Sequence, residues 1–285
     1  MPGAVLITDV LKARKAFAEI SSVDETIFAL DRAALAFCLE DYPGLNIDDY
    51  LRRLDTLAAR AEVLIGQDRS VRNVLHCLHE ILFVQEGFRG NAADYYDPRN
   101  SFLNEVMDRK LGIPISLSVI FIEVARRIDF PAFGVGFPGH FIVKCRDGDR
   151  EILLDPFNGG HILTEKNCQE LLDRVYGGAV PVQPSFLQTM SKKAVISRML
   201  FNLKGIYYQK EEYPKALAIV ERILLLNPGT PSEIRDRGLL YMQTSLFAKA
   251  LADLECYLAN ASSPQDASNI QGHIKTLRLI VSALN

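Results

Sequence analysis

The last third of the chain repeats itself, and this internal repeat limits the fold more strongly than any other sequence feature. Three residues recur at a spacing of 34, namely Tyr207, Ala216 and Leu217 with their counterparts Tyr241, Ala250 and Leu251. A period of this length is typical of stacked helical hairpins, in which each hairpin leaves an apolar face for its neighbour to cover. We therefore predict helix pairs over residues 192–285, closed by a last helix at about 265–283.

The repeat resembles the tetratricopeptide repeat (TPR) family in its period and in the small Ala of its second helix. Gly238 falls where neighbouring helices approach closely, whereas the first repeat departs from the pattern with Lys204. About three repeats are normally needed for an independent array, so we expect these two to depend on the rest of the chain. The resemblance implies a protein or peptide partner for this region.

Composition and charge exclude several classes of protein. The chain has 285 residues, of which 48% are hydrophobic and 24% charged, as in a globular protein with a sizeable core. A net charge of −3 provides no basic field, so neither nucleic acid nor an anionic membrane is an expected partner. The most apolar charge-free run, 111–122, is shorter than the roughly 20 residues of a membrane span. The first residues lack the pattern of a secretory signal, which favours the cytoplasm.

Cysteine and histidine spacing does not predict a metal site or a disulfide framework. The five cysteines are scattered without a C-x-x-C pair, so reduced and mostly buried thiols are expected. His76 and His79 could share a helix face, but H-x-x-H-E does not match the zinc motifs built from two His and a Glu. A surface or packing role is the preferred interpretation of the two histidines, and neither a metal nor a cofactor is predicted.

The N-terminal region, residues 1–90, is predicted to be a helical subdomain. Apolar residues recur at helical spacing in three segments after residue 24, and Ser22–Glu25 has the composition of a helix N-cap. A polar, turn-rich loop follows at 87–101, and loops of this kind often carry function. Ser101 is the expected cap of a short helix over 101–110.

The central region, residues 91–180, mixes helices with short strands. Pro114 favours a helix start, and Asp147–Asp149 separates two strand-like runs in the manner of an antiparallel hairpin. The predicted elements are a helix at 115–128, strands at 132–137, 141–145 and 151–154, and a helix at 165–175. Residues 181–191 are predicted to be a linker to the repeats. The fold class is α+β, mostly α, with a small antiparallel sheet.

His140 and Asp155 form the most informative pair in the centre of the chain. They are 15 residues apart on either side of the hairpin, a spacing that can bring their side chains together. An Asp beside an imidazole fixes its tautomer and orientation, as in hydrolytic triads. The matching nucleophile would lie at the start of the preceding helix, where the helix dipole stabilises a thiolate.

This layout resembles the transglutaminase-like superfamily, whose triad is a Cys at a helix start and a His and an Asp on adjacent strands. His140 and Asp155 fall on the positions of the family's His and Asp. The family's Cys falls on Pro114, so the resemblance implies a papain-like core without its ordinary nucleophile.

The chain is more similar still to the SirB family of bacterial proteins. Four strings carry the resemblance, and they occupy 97–104, 112–118, 134–141 and 154–157. The similarity covers nearly the whole chain. It implies a helical N-terminal region, a transglutaminase-like core and C-terminal TPRs, but it does not imply a reaction.

Further residues are candidates for the site. Ser116 is the candidate replacement nucleophile, with helix capping as the alternative, since a shift of two helical residues points it away from the Cys direction. Cys145 lies an odd number of residues after His140, which puts it on the other face of the sheet. Four residues are expected to line a ligand cleft: Arg99, Asn104, Pro114 and Phe137.

Two functional interpretations remain, together with a plainer one. The preferred interpretation is a peptide- or protein-binding scaffold, not an enzyme, that uses the His140–Asp155 cleft and the TPR surface. The alternative is a hydrolase or acyl-transferase acting on an amide or ester, with His140 as general base, Asp155 orienting it and Ser116 or water attacking. The plainer interpretation is an adaptor that binds through the TPRs alone. The sequence does not specify an oligomeric state.

Overall fold

A computed structural model describes residues 7–148, 150–260 and 265–284 of the chain. The chain divides into two compact units, the first ending at Met199 and the second beginning at Leu200. The predictions made for residues 1–6 and for Asp149 in the hairpin turn lie outside the described residues.

Helices make up the N-terminal part of the first unit. They are α1 (Ile7–Ser22), α2 (Leu30–Ala36), α3 (Ile47–Ile65) and α4 (Val71–His79), and α4 continues into a π-helical turn at Glu80–Gln85. The predicted N-cap at Ser22–Glu25 is wrong, because Ser22 ends α1 and α2 begins only at Leu30. The Asp24 carboxylate instead accepts from the backbone N–H and the hydroxyl of Thr26, so it closes a turn.

Two short parallel strands precede the central helix. β1 (Arg89–Gly90) pairs with β2 (Leu111–Gly112), and α5 (Leu103–Arg109) lies between them in the chain. The helix α6 (Pro114–Arg127) follows β2, and all its residues from 114 to 125 are buried. The predicted Ser101 cap of α5 is wrong, since Phe102 occupies the N-cap position and Ser101 is buried.

A four-stranded antiparallel sheet packs against α6. Its strands are β3 (Ala132–Val135), β4 (Ile142–Asp147), β5 (Arg150–Asp155) and β6 (His161–Leu163), paired in that order. Val143 pairs with both Gly134 and Leu154, which fixes the register of the central strands. The helix α7 (Glu165–Tyr176) buries Cys168 and Leu172 against side chains of the sheet. The hairpin of β4 and β5 matches the sequence prediction, whereas β6 was not predicted.

A buried ionic cluster joins α2 to α6. The Asp31 carboxylate accepts from Arg126 at 3.2 Å and from Arg127 at 2.6 Å, and the Glu123 carboxylate accepts from the same two guanidinium groups. Burial and the negative charge of Asp31 raise the pKa of Glu123 to about 7, although Arg126 opposes the shift. The N-terminal helices are therefore held to the core helix by charge as well as by apolar contact.

Residues 181–191, the predicted linker, are packed rather than extended. Their one helical turn is a 3₁₀ turn at Pro184–Leu187. The side chains of Val182 and Phe186 pack against the apolar cluster under α7, and the Met190 N–H donates to the Gly134 carbonyl at 2.8 Å. This segment therefore contributes to the core of the first unit.

The second unit consists of antiparallel helical hairpins. The helix α8 (Lys192–Gln209) leads into it, and four helices follow: α9 (Tyr213–Leu226), α10 (Pro231–Gln243), α11 (Phe247–Asn260) and α12 (Ala267–Leu284). The repeated residues Ala216 and Ala250 are completely buried. Lys204, the departure from the pattern, donates to both oxygens of Glu233 and to Asp236 at 2.8–2.9 Å. An ion pair therefore joins the helices where the other repeat has glycine.

Gly238 is required for the close packing of α10 on α11. A Cβ at this position would lie 2.7 Å from Cδ2 and 2.9 Å from Cγ of Leu254, which is fully buried. We expect Gly238→Ala to lower the free energy of unfolding by about 1–2 kcal/mol, because overpacking exceeds the gain in helix propensity. Urea unfolding followed by circular dichroism measures this loss. The matched control is Gly205→Ala in α8, where no atom lies within 4 Å of the added carbon and stability should rise slightly. Equal effects of the two substitutions would contradict the packing argument.

Candidate functional site

His140 and Asp155 meet at the open end of the β4–β5 hairpin. The distance between Nε2 of His140 and Oδ2 of Asp155 is 3.0 Å. The Asp155 side chain is only 2% exposed and that of His140 is 13% exposed. Nδ1 of His140 makes no hydrogen bond to any residue that the structure describes, so this nitrogen is the one available to a ligand.

Asp155 is held by more than the histidine. Its Oδ1 accepts from the backbone N–H groups of Phe157 and Asn158, and its Oδ2 accepts from the Asn158 side-chain amide at 2.7 Å. Burial alone would raise the pKa of Asp155, but the hydrogen bond and charge of His140 and the bonds from Asn158 outweigh it. The pKa of Asp155 therefore lies below its ordinary value, which keeps the carboxylate charged beside the imidazole.

The start of α6 lies close to this pair. Gly112 pairs with Gly90 in the parallel ladder, and a Cβ on Gly90 would overlap the ring of Phe157. The Phe157 ring in turn meets the imidazole of His140 edge to face, with 6.1 Å between centroids. This chain of contacts brings the helix start at Pro114 into the same region as His140, which is the layout that the transglutaminase-like resemblance implies.

Ser116 serves the helix start. Its hydroxyl is completely buried, donates to the Asn100 carbonyl at 2.7 Å and accepts from the Ile113 N–H at 3.1 Å. These are the contacts of a capping serine, which satisfies a backbone donor that the helix leaves unpaired. They favour the capping interpretation of Ser116 over the nucleophile.

The loop at 91–101 is tied down by its own polar side chains. Arg99 donates to both carboxylate oxygens of Asp97 at 3.0–3.1 Å, and Asn100 donates to the Asp94 carbonyl at 2.7 Å. Asn104 is buried, and its Oδ1 has no hydrogen-bond partner among the described residues. Arg99 therefore orders the loop, whereas Asn104 retains an acceptor that is not satisfied by the protein.

The remaining predicted cleft residues occupy different environments. Pro114 is buried as the first residue of α6. Phe137 is 0% exposed and belongs to the apolar cluster between the sheet and α7. The prediction that Phe137 lines a cleft has no support from this placement, because the inward-facing ring fills the core. Only its carbonyl, which accepts from Arg198 at 3.3 Å, faces the site region.

Three groups beside the pair were not singled out from the sequence. Arg198 of α8 donates to the His140 carbonyl at 2.9 Å, and burial lowers the pKa of this guanidinium. The Tyr95 ring meets Phe157 edge to face at 6.0 Å, and partial burial raises the pKa of its hydroxyl. Asn158 lies three residues after Asp155, just beyond the string at 154–157. The string at 154–157 was a local signal for Phe157, whereas nothing local marked Asn158 or Arg198.

The cysteines do not supply a nucleophile to this site. Cys145 is completely buried, and burial raises its pKa to about 12, which suppresses the reactive thiolate. Cys38, Cys77 and Cys168 are also buried. In the part of the chain that the structure describes, no three His, Cys, Asp or Glu side chains are grouped in a way that could hold a metal ion.

Comparison with protein families identifies the class of fold. Residues 48–201 match the transglutaminase-like superfamily, and residues 203–274 match the tetratricopeptide repeat. The predicted fold class, a mostly helical α+β chain with a transglutaminase-like core and TPR hairpins, is thereby confirmed.

Comparison with curated relatives assigns the chain to a more specific family. A UPF0162 protein of Xylella fastidiosa (strain Temecula1) is 36% identical, with 90% of this chain and 93% of the relative covered. A UPF0162 protein of Vibrio cholerae is 29% identical over 89% of this chain and 95% of the relative. Protein SirB1 of Salmonella typhimurium is 29% identical over 83% of this chain and 87% of the relative. The chain belongs to this UPF0162/SirB1 family, which confirms the resemblance seen in the sequence.

One solved structure is similar in outline. It is the crystal structure of menin that reveals the binding site for the Mixed Lineage Leukemia protein, with a TM-score of 0.40 and 9% identity over 96% of this chain and 75% of that chain. Similarity at this level does not establish a common fold. Separately, none of the helices in the described part of the chain combines the length and hydrophobicity needed to cross a membrane.

Proposed function

We propose that this protein is a non-covalent binding protein, in which the transglutaminase-like core holds a peptide or protein segment at the His140–Asp155 cleft. The observation that carries this proposal is the pairing of an intact imidazole–carboxylate dyad with a helix start that has no nucleophile. Pro114 stands where the family's Cys falls, and the Ser116 hydroxyl is engaged by Asn100 and Ile113.

The cleft offers both polar and apolar groups for recognition. Nδ1 of His140 is a polar atom without a hydrogen bond to the described residues, and the rings of Tyr95 and Phe157 provide apolar surface. Peptide segments present backbone amides beside apolar side chains, so they complement such a cleft. The TPR hairpins support a second contact with a protein partner, since repeat units of this kind provide extended binding surfaces.

Hydrolysis by activated water is the second candidate, and one observation favours it. Asp155 fixes the His140 ring through Nε2, so Nδ1 is positioned to take a proton from water without a covalent intermediate. This mechanism needs neither Pro114 nor Ser116. The binding protein and the hydrolase therefore differ only in whether turnover occurs.

An assay with an activated ester distinguishes the binding protein from the hydrolase. Full-length protein, His140→Ala and Ser116→Ala are incubated with p-nitrophenyl acetate, while nitrophenolate release and the intact protein mass are followed. We expect no acetyl adduct on Ser116 and a release rate that is the same in all three proteins. A rate that falls at least about tenfold in His140→Ala alone would favour the hydrolase instead.

Photo-crosslinking tests the binding role directly. A benzoyl-phenylalanine placed at Tyr95 in the full-length protein, expressed in a bacterial host, is expected to capture a defined partner, and His140→Ala should reduce this capture. The matched control has the same group at Val63, which is 85% exposed on α3. Capture that is equal at both positions, or indifferent to His140, would contradict the proposal.

A further inference from the structure

A second cleft lies between α4 and the outer edge of the sheet, and it has no residue in common with the His140–Asp155 site. Its volume is about 410 Å³, within the range of small-molecule sites. Three of the five histidines of the chain line it: His76 and His79 from α4 and His161 from β6. This concentration was not anticipated from the sequence, which placed only the first two on one helix face.

The floor of this cleft is apolar and partly aromatic. Leu154 of β5, Phe83 of the π-helical turn and Phe121 of α6 contribute to it, and the two phenyl rings stack with 6.5 Å between centroids. Ile162 adds a wall that is 60% exposed. A π-helical turn is rare and often marks a functional site, and here Phe83 within the turn lines the cleft.

Gly160 keeps the floor in place. Its φ is +71°, and a Cβ at this position would overlap the Phe83 ring, so any larger residue would displace the ring or the turn. The phenyl ring therefore lies directly on the backbone between β5 and β6.

The rim of the cleft is polar and includes an arginine that has no partner in the described ranges. Arg72 joins the three histidines there, and Asp147 from β4 is the opposing carboxylate. Arg72 forms neither a hydrogen bond nor an ion pair with any side chain in the described ranges, and the same holds for His76 and His161. In another apolar groove of the first unit, of about 500 Å³, the cations are engaged: Arg126 by Asp31 and Lys192 by the Phe28 carbonyl.

From this arrangement we propose that the cleft between α4 and β6 is a binding site for a small amphipathic anion, with an aromatic or other apolar body and one carboxylate, sulfonate or phosphate. The body would rest on Phe83 and Leu154, and the anionic group would pair with Arg72 and accept hydrogen bonds from the rim histidines. The unpaired guanidinium can bind the anionic group of such a ligand, and the apolar floor can bind its body. A neutral ligand would contact the floor but would form no ion pair at the rim.

Calorimetric titration of the full-length protein with 2-naphthoate tests this site. We expect submillimolar binding, roughly tenfold weaker for the neutral 2-naphthalenemethanol and for Arg72→Ala, as loss of a charged hydrogen bond implies. Ile162→Ser removes exposed apolar surface without disturbing the core and should also weaken binding. The matched control is Arg146→Ala, which removes the same charge from an exposed arginine that lies over Phe133 instead.

Three outcomes would overturn the proposal. They are equal affinity for the neutral analogue, equal weakening by Arg72→Ala and Arg146→Ala, and binding of inorganic phosphate as tight as that of 2-naphthoate. Equally tight binding of inorganic phosphate would mean that the apolar floor does not contribute to binding. Because none of the variants touches the His140–Asp155 cleft, their results do not depend on the proposed function.

Discussion

Replacing Pro114 with cysteine is expected to create a reactive thiol at the start of α6. The helix N-terminus lowers the pKa of a thiol, and Gly112, Gly90 and Phe157 link this end of the helix to His140. We expect alkylation by iodoacetamide at pH 7 to be at least about tenfold faster at the introduced thiol than at Cys145, which is buried like position 114. Peptide mass mapping over time gives both rates in one sample.

The same experiment decides whether His140 is placed for chemistry. Adding His140→Ala to the Pro114→Cys variant should slow alkylation of the introduced thiol by about tenfold, because the imidazolium no longer stabilises the thiolate. Pro114→Ala is the control for folding, and Cys256 in each sample is the control for reagent. A thiol that reacts no faster than the buried Cys145, or whose alkylation rate is unchanged by His140→Ala, would show that the helix start and the dyad do not form one site. The proposed function would then lose its main support.

The sequence predicted the meeting of His140 and Asp155 only in part. The register that pairs Val143 with Leu154 would place His140 opposite Phe157, and their rings do meet. The histidine reaches Asp155 because the chain leaves the ladder at the 3₁₀ turn beginning at Pro156. Spacing around the hairpin therefore predicts that His140 and Asp155 lie near each other. The turn that follows β5 determines which side chain the histidine contacts.

Features that depend on distant packing could not be predicted from local patterns. Arg198 is 58 residues from His140 in the chain, and its bond to the His140 carbonyl follows from how α8 packs on the sheet. β6 is only three residues long, too short for a recognisable alternation. The helix periods were strong enough to locate α6 and the repeats, but the N-caps at Ser22 and Ser101 were wrong because the same residues also form turns.

Removing the Asp155 carboxylate is expected to destabilise the first unit strongly. Asp155 accepts from two side chains and two backbone N–H groups, and Asp155→Ala would leave these partly buried donors without their acceptor. We expect a loss of about 3–4 kcal/mol in the free energy of unfolding, since each buried unsatisfied group costs about 1–3 kcal/mol. Asp155→Asn keeps one acceptor oxygen and should lose about half as much. Urea unfolding at pH 7 measures both losses.

The pH dependence of this loss has a defined sign. Because the folded protein lowers the pKa of Asp155, its contribution to stability is complete above the unfolded value of about 4 and disappears as the pH falls through the folded value. The difference in stability between the native protein and Asp155→Ala should therefore be constant from pH 7 to pH 5 and shrink below about pH 4. Asp147→Ala, which removes an exposed carboxylate of β4, is the matched control and should change stability by less than about 0.5 kcal/mol. A difference that grows on acidification would mean that Asp155 is protonated in the folded protein, and the imidazole–carboxylate pair would then have to be reassigned as a neutral hydrogen bond.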